Sequence, residues 1–133
     1  MAKEIMYQDD ARKKVYNGVK TVADAVKVTM WPKGKNVMID SWNWKPTVTN
    51  DGVSVAKEIE LEDKVENIGA ELVKESANNT NDSAWDGTTT TVTLIDGILK
   101  EWLKYINSWV NPFELGRWMD KAVEKLVTKL HEK

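Results

Sequence analysis

Val15, Val19, Val22, Val26 and Met30 recur three and four residues apart, which places their side chains on one face of an α-helix. Asp9 and Asp10 ahead of them offer an N-cap, and Pro32 with Gly34 in "WPKGKN" cannot continue a helix, so the pattern predicts one long helix ending at about Thr29. "NVMID" and "TVTNDG" predict two short strands, Val37–Ile39 and Thr47–Thr49, paired around the turn "SWNWKP". A short helical piece follows from Val53 to about Ile59, then the charged bend "ELEDK". Val65, Ile68, Leu72 and Ser76 mark the face of a third helix, which the polar run "SANNTNDSAWDG" is expected to end. From Thr88 a fourth helix carries Val92, Ile95, Leu99, Leu103 and Ile106 at helical spacing. A last helix opens at "NPFE", where Asn111 can cap, Pro112 suits the first helical position and Glu114 reaches back; Phe113, Leu115, Met119, Val123, Leu126 and Leu130 are its apolar residues. The predicted fold is mostly α, a bundle of about five helices with one small β-hairpin, without internal repeats.

A chain of 133 residues fits one domain with a modest core. Nineteen basic residues against 21 acidic ones, net -2, give no reason to expect general affinity for nucleic acid or anionic membrane, so a phosphate ligand would need a local site. There is no cysteine, which excludes disulfide and thiolate chemistry, and the single His131 cannot build a metal cluster alone. The N-terminus "MAKEIMYQDD" has no apolar signal core, and no stretch approaches the roughly 20 apolar residues of a membrane span, so a cytoplasmic protein is expected. The last residues, "TKLHEK", have no finishing turn, as a truncated chain would look. Seven Trp against one Phe and three Tyr is a lopsided aromatic set.

Candidate chemistry sits where loops feed helices. In "AWDGTTTT" the first N-H groups of a helix would face outward with the positive end of its dipole, which stabilises an anion by up to about 1 kcal/mol before hydrogen bonds are added. Gly87 would let a phosphate approach the backbone, and Thr88, Thr89 and Thr90 would add hydroxyl donors. Asp86 repels bare phosphate; its natural use there is as an oxygen ligand to Mg²⁺. A plainer reading is open: Asp86 as an N-cap, Gly87 as a turn residue and the threonines as surface. "TNDG" repeats the pattern, with Asp51 capping the next helix, and the two acids gain meaning only if they converge, Asp51 then orienting a water on a terminal phosphate. Lys33 and Lys35 could line an anion pocket or form a solvated basic turn, and the G-x-x-x-x-G-K-[ST] pattern of a P-loop is absent.

Taken in order, "ADAVKVTMWPKGKNVMID", "PTVTNDGVSVAKEIELEDKVENIGAELVKE", "DGTTTTVTLIDGILKE" and "NPFELGRWMDKAVEKL" closely resemble the start of bacterial group I chaperonins, the GroEL type. The resemblance covers essentially the whole chain in one register. It implies a chaperonin equatorial-domain-like fragment, with residues 1–133 as the N-terminal portion of the helical, ATP-binding, ring-forming domain and the apical, intermediate and C-terminal equatorial parts absent. It implies ATP and Mg²⁺ as cofactors, with K⁺ as a further candidate. For the full-length protein it implies identical subunits in a ring, a co-chaperonin and unfolded polypeptides as partners, and neither nucleic acid nor membrane. By motif, Thr29, Met30, Trp31 and Pro32 stand in the family's first phosphate loop, and Asp86, Gly87, Thr88, Thr89 and Thr90 in its second. Asp86 takes the magnesium role, Asp51 that of a catalytic carboxylate assisting hydrolysis, and Asn50 a nucleotide-binding position where many members have lysine. The full-length family hydrolyses ATP; the fragment alone is expected to be inactive and, with apolar faces uncovered, to aggregate or stay loose.

The same resemblance implies glycine where this chain has Trp31, Trp44, Trp85, Trp102, Trp109 and Trp118, with Trp42 in a variable turn where glycine would also be at home. Each exchange would add an indole where the backbone needs positive φ or a close neighbour, at a cost on the order of several kcal/mol. A domain with about 5–15 kcal/mol of net stability could not absorb them all. UGA is read as tryptophan in one variant genetic code and as glycine in another, and the expectation is that these positions are such codons. Two other readings are carried: a non-enzymatic helical packing or self-association module whose nucleotide site the tryptophans block, and an unrelated phosphotransfer enzyme, for which no catalytic base or substrate pocket is recognisable.

Overall fold

The structure, a computed structural model, describes residues 7–30, 34–40 and 46–132. Its elements are α1 (Gln8–Lys27), β1 (Val37–Ile39), β2 (Thr47–Thr49), α2 (Gly52–Glu58), α3 (Lys64–Ala84), α4 (Thr88–Asn107) and α5 (Pro112–His131). The mostly helical fold with a two-stranded sheet is the one the pattern predicts. The chain divides into two compact units, Met1–Gly97 and Ile98–Lys133.

In the first unit α1 packs against α3. Val19, Val22, Ala23 and Val26 of α1 and Ala70, Val73 and Ala77 of α3 are buried, all small or β-branched, so the two backbones can lie close. Two glycines make that approach possible. A Cβ on Gly18 would stand 1.8 Å from the Glu66 carbonyl oxygen, and one on Gly69 would stand 2.0 Å from that of Val15. The expected face of α3 needs correction: Ile68 and Leu72 are more than half exposed, and the buried stripe is Gly69, Ala70, Val73 and Ala77. The large apolar residues misled the reading because the tight crossing selects small ones.

The helix ends differ from expectation at two places. α1 starts at Gln8 behind Tyr7, whose side chain makes no cap bond; Asp9 and Asp10 lie inside the first turn, near the positive end of the dipole, and do not cap. α3 continues through most of the polar run predicted to be a loop, stopping only at Ala84. The Ser76, Thr80 and Ser83 hydroxyls donate to the carbonyls of Leu72, Ser76 and Asn79, four residues back, so residues that signal loops are satisfied within the helix. Asp63 caps the start of α3, accepting from the N-H groups of Val65 and Glu66 at 2.9 and 3.1 Å, and is ion-paired with Lys14 of α1.

β1 and β2 are the two predicted strands, and they pair antiparallel with Met38 opposite Val48. α2 is one short helix with Val55 and Ala56 buried. The part of α4 in this unit inserts Val92 into the core and holds one buried acid, Asp96, only 7% exposed. Asp96 accepts from the Tyr16 hydroxyl at 3.1 Å and pairs with Lys27, so a polar clamp joins α4 to both middle and end of α1.

The second unit holds the end of α4 and α5. α5 is capped as predicted, the Asn111 side chain accepting from the Phe113 N-H at 2.9 Å with Pro112 in the first turn, whereas Glu114 lies 3.7 Å from Arg117. None of its residues is buried.

Candidate functional site

α3 closes on Trp85 and α4 opens at Thr88, so three residues carry the chain from one helix end to the next start. Trp85 and Gly87 both have positive φ, 57° and 83°. Gly87 needs no space, since a Cβ there would meet only the Thr80 methyl at 4.0 Å; it serves by its backbone angle. The first backbone bond of α4 runs from the Thr91 N-H to the Gly87 carbonyl at 2.8 Å. The N-H groups of Thr88, Thr89 and Thr90 come before it and have no acceptor within the helix, which is the arrangement that binds an anion. Asp86 is exposed and accepts from the Gly87 N-H at 2.6 Å; it does not reach the second or third N-H of α4 as an N-cap would.

Asp51 caps α2. Its carboxylate accepts from the Val53 and Ser54 N-H groups at 3.4 and 3.0 Å and from the Ser54 hydroxyl at 2.6 Å. The Ser54 hydroxyl is the main cause that holds its pKa below the ordinary carboxylate value; burial opposes this, and the two N-H groups and the charge of Lys57 assist. Asp51 therefore stays ionised at neutral pH and is a weak proton acceptor, better suited to orienting a water than to abstracting a proton. Both acids line one cleft of about 220 Å³, together with Asn81, Trp85 and the Gly87–Thr90 helix start.

The remaining positions fall as follows. Thr29 and Met30 do not line the cleft, but Thr29 stands beside it at Gly52, next to the lining residues Asp51 and Val53: a Cβ on Gly52 would lie 2.5 Å from the Thr89 hydroxyl, 3.1 Å from Val26 and 3.2 Å from the Thr29 hydroxyl. The starts of α2 and α4 and the end of α1 thus meet on one glycine. The Thr29 hydroxyl donates to the Val26 carbonyl at 2.7 Å, and the Met30 sulfur accepts from Thr93 at 3.4 Å. Asn50 is exposed and does not line the cleft. Trp31, Pro32 and Lys33 lie outside the described residues. Gly52 and Asn81 escaped the sequence reading: Gly52 looked like part of a turn, and Asn81 stood in a run taken for loop.

A larger groove, about 620 Å³, lies along α2 and α3. Its Glu58, Glu60, Glu71 and Glu75 are interleaved with Lys57 and Lys74, the last paired with Glu71 at 2.9 Å, and it contains no helix start. The smaller cleft is the better seat for a polyphosphate. Among the described residues no cluster of three or more His, Asp or Glu gathers to hold a metal by itself. Mg²⁺ is commonly held by one or two carboxylates plus substrate phosphates, and a cleft with Asp86 beside open N-H groups fits that donor set. Among the described residues no helix is long and apolar enough to cross a membrane.

Residues 22–133 match the model of the TCP-1/cpn60 chaperonin family. Among solved structures, the crystal structure of the chaperonin gp146 from the bacteriophage EL 2 (Pseudomonas aeruginosa), in the presence of ATP-BeFx, is similar at 30% identity and a TM-score of 0.76. The match covers 92% of this chain and 21% of that one, so this chain spans about a fifth of the length of that chaperonin.

Proposed function

We propose, because the chain belongs to the TCP-1/cpn60 chaperonin family, that residues 1–133 are the N-terminal portion of an ATP-binding equatorial domain, of the bacterial group I, GroEL type. In the full-length protein this portion would seat Mg-ATP and take part in ring contacts between identical subunits, which with a co-chaperonin act on unfolded polypeptides in the cytoplasm. The observation that carries the reading is the convergence of Asp51, Asp86 and the open start of α4 on one cleft.

The chain's own residues have separable tasks. The N-H groups of Thr88, Thr89 and Thr90, with their hydroxyls, bind and orient phosphate oxygens at the positive end of α4. Asp86 would hold a divalent cation, and the resemblance assigns further nucleotide contacts to Thr29, Met30, Trp31, Pro32 and Asn50, of which Thr29, Met30 and Asn50 stand outside the cleft lining. Asp51, whose pKa the Ser54 hydroxyl lowers, would orient a water toward the terminal phosphate. Mg-ATP, with K⁺ as a candidate second cation, supplies the transferable phosphoryl group and the charge neutralisation that its own oxygens need. The chain alone is not expected to turn over, since it spans about a fifth of the length of the chaperonin it resembles.

Calorimetric titration of Mg-ATP into the chain as it stands and into a form with glycine at every tryptophan position tests this. Binding by the glycine form that Asp86→Asn abolishes is the expected result. A second reading is favoured by one observation: Trp85 lines the cleft and is 85% exposed. If neither form binds, the result fits either a packing module with no nucleotide role or a site that the rest of the domain must complete.

A further inference from the structure

We infer that positions 85 and 109 are glycine positions, and that the chain made by its source organism carries glycine there and at Trp102 and Trp118, from UGA codons read as glycine. Trp85 and Trp109 have φ of 57° and 65°, and they are the non-glycine residues with positive φ among those described. Both stand where a helix commonly terminates on glycine. At Trp85 the N-H donates to the Asn81 carbonyl at 2.8 Å, the single closing bond of a left-handed helix cap. At Trp109 two bonds close the helix: the Trp109 N-H to the Ile106 carbonyl and the Val110 N-H to the Tyr105 carbonyl, each 3.1 Å. That pair is a Schellman motif with its left-handed residue at 109. A residue without Cβ adopts this backbone freely, whereas a bulky one is strained.

The side chains gain nothing that would offset the strain. A buried tryptophan removes a large apolar surface from water, yet Trp85 is 85% exposed and Trp109 is 97% exposed. The two other described tryptophans fit no better. Trp118 is 61% exposed, and the Trp102 indole nitrogen is buried with no hydrogen-bond partner, alone in that among the described side-chain nitrogens and oxygens. Four poor placements of one residue type in a chain with a single Phe point to one cause acting at the codon. Only one consequence rests on the nucleotide reading: glycine at 85 would take an indole off the wall of the phosphate cleft.

The test is made on the gene and its natural product, so it does not depend on nucleotide binding or on refolding. UGA at these positions, with peptides spanning 85 and 109 from the native protein having the mass of glycine, is the expected result. UGG codons, or native peptides that retain tryptophan, overturn the inference. Thermal melts of the recombinant chain give a second readout. Trp85→Gly and Trp109→Gly should each raise the midpoint above that of the corresponding alanine variant, and an alanine variant that equals glycine at both sites contradicts the left-handed assignment.

Discussion

Asp96 is where single residues bear most directly on the fold. Burial pushes its carboxyl up, but hydrogen bonds from Lys27 and Tyr16 and the charges of Lys27 and Lys20 outweigh this and leave it below the ordinary value. A depressed carboxyl contributes stability that is present above the unfolded pKa of about 3.9 and lost as pH falls through the folded value. Tyr16 shows the opposite sign: burial, then the Asp96 hydrogen bond and the charges of Asp96 and Asp24, raise it from 10.0 to about 12. Its contribution is complete below pH 10 and fades as pH climbs towards 12. Asp96→Asn should lower stability at neutral pH by about 1–3 kcal/mol and flatten the acid limb of a plot of melting temperature against pH. Tyr16→Phe should flatten the alkaline limb and, because the Tyr16 hydroxyl also helps hold Asp96 down, soften the acid limb less than Asp96→Asn does. Gly52→Ala tests the meeting point of three helix ends. The 2.5 Å approach to Thr89 should cost about 1–3 kcal/mol in chemical denaturation, with amide shifts at Thr89 and Thr29.

At the scale of elements, the α1 and α3 crossing depends on Gly18 and Gly69, and two alanine substitutions of equal chemistry should move stability in opposite directions. Gly69→Ala, with a carbonyl 2.0 Å from the new carbon, should destabilise by several kcal/mol or displace α3. Gly97→Ala, in an α4 position with nothing within 4 Å, should stabilise by about 0.5–1 kcal/mol. Urea denaturation of both variants checks the pair. These elements also indicate what was legible in the chain. The helix-start signals of Asp51 and Asn111 are local, and the structure uses both. The apolar stripe of α1 was readable because valines repeat on one face. The buried face of α3 was not, because small residues chosen by a close crossing carry little hydrophobic signal. Its polar second half was not, because hydroxyls that bond back to helix carbonyls look the same in sequence as hydroxyls in a loop. The cleft was legible as two motifs, "TNDG" and "DGTTTT"; that Gly52 joins them depends on tertiary contacts that no local spacing encodes.

At the scale of the whole molecule, α5 exposes Phe113, Trp118, Val123, Leu126 and Leu130 with no buried residue, and α3 exposes Ile68 and Leu72. Apolar surface of that extent drives association in water. The isolated chain should therefore form concentration-dependent oligomers in light scattering, and Leu126→Lys with Leu130→Lys should reduce their mass; a monodisperse monomer at high concentration would argue against an uncovered face. The central claim, that the cleft between Asp51 and Asp86 seats the phosphates of a Mg-nucleotide, is tested most directly by backbone amide NMR. Mg-ATP is titrated into the chain with glycine at position 85, with Asp86→Asn in the same background as control. Saturable shifts concentrated at Gly87, Thr88, Thr89, Thr90 and Asp51, requiring Mg²⁺ and absent in the control, are the expected result. Shifts that never saturate, or that gather on the Glu71 and Lys74 groove and survive Asp86→Asn, would contradict it.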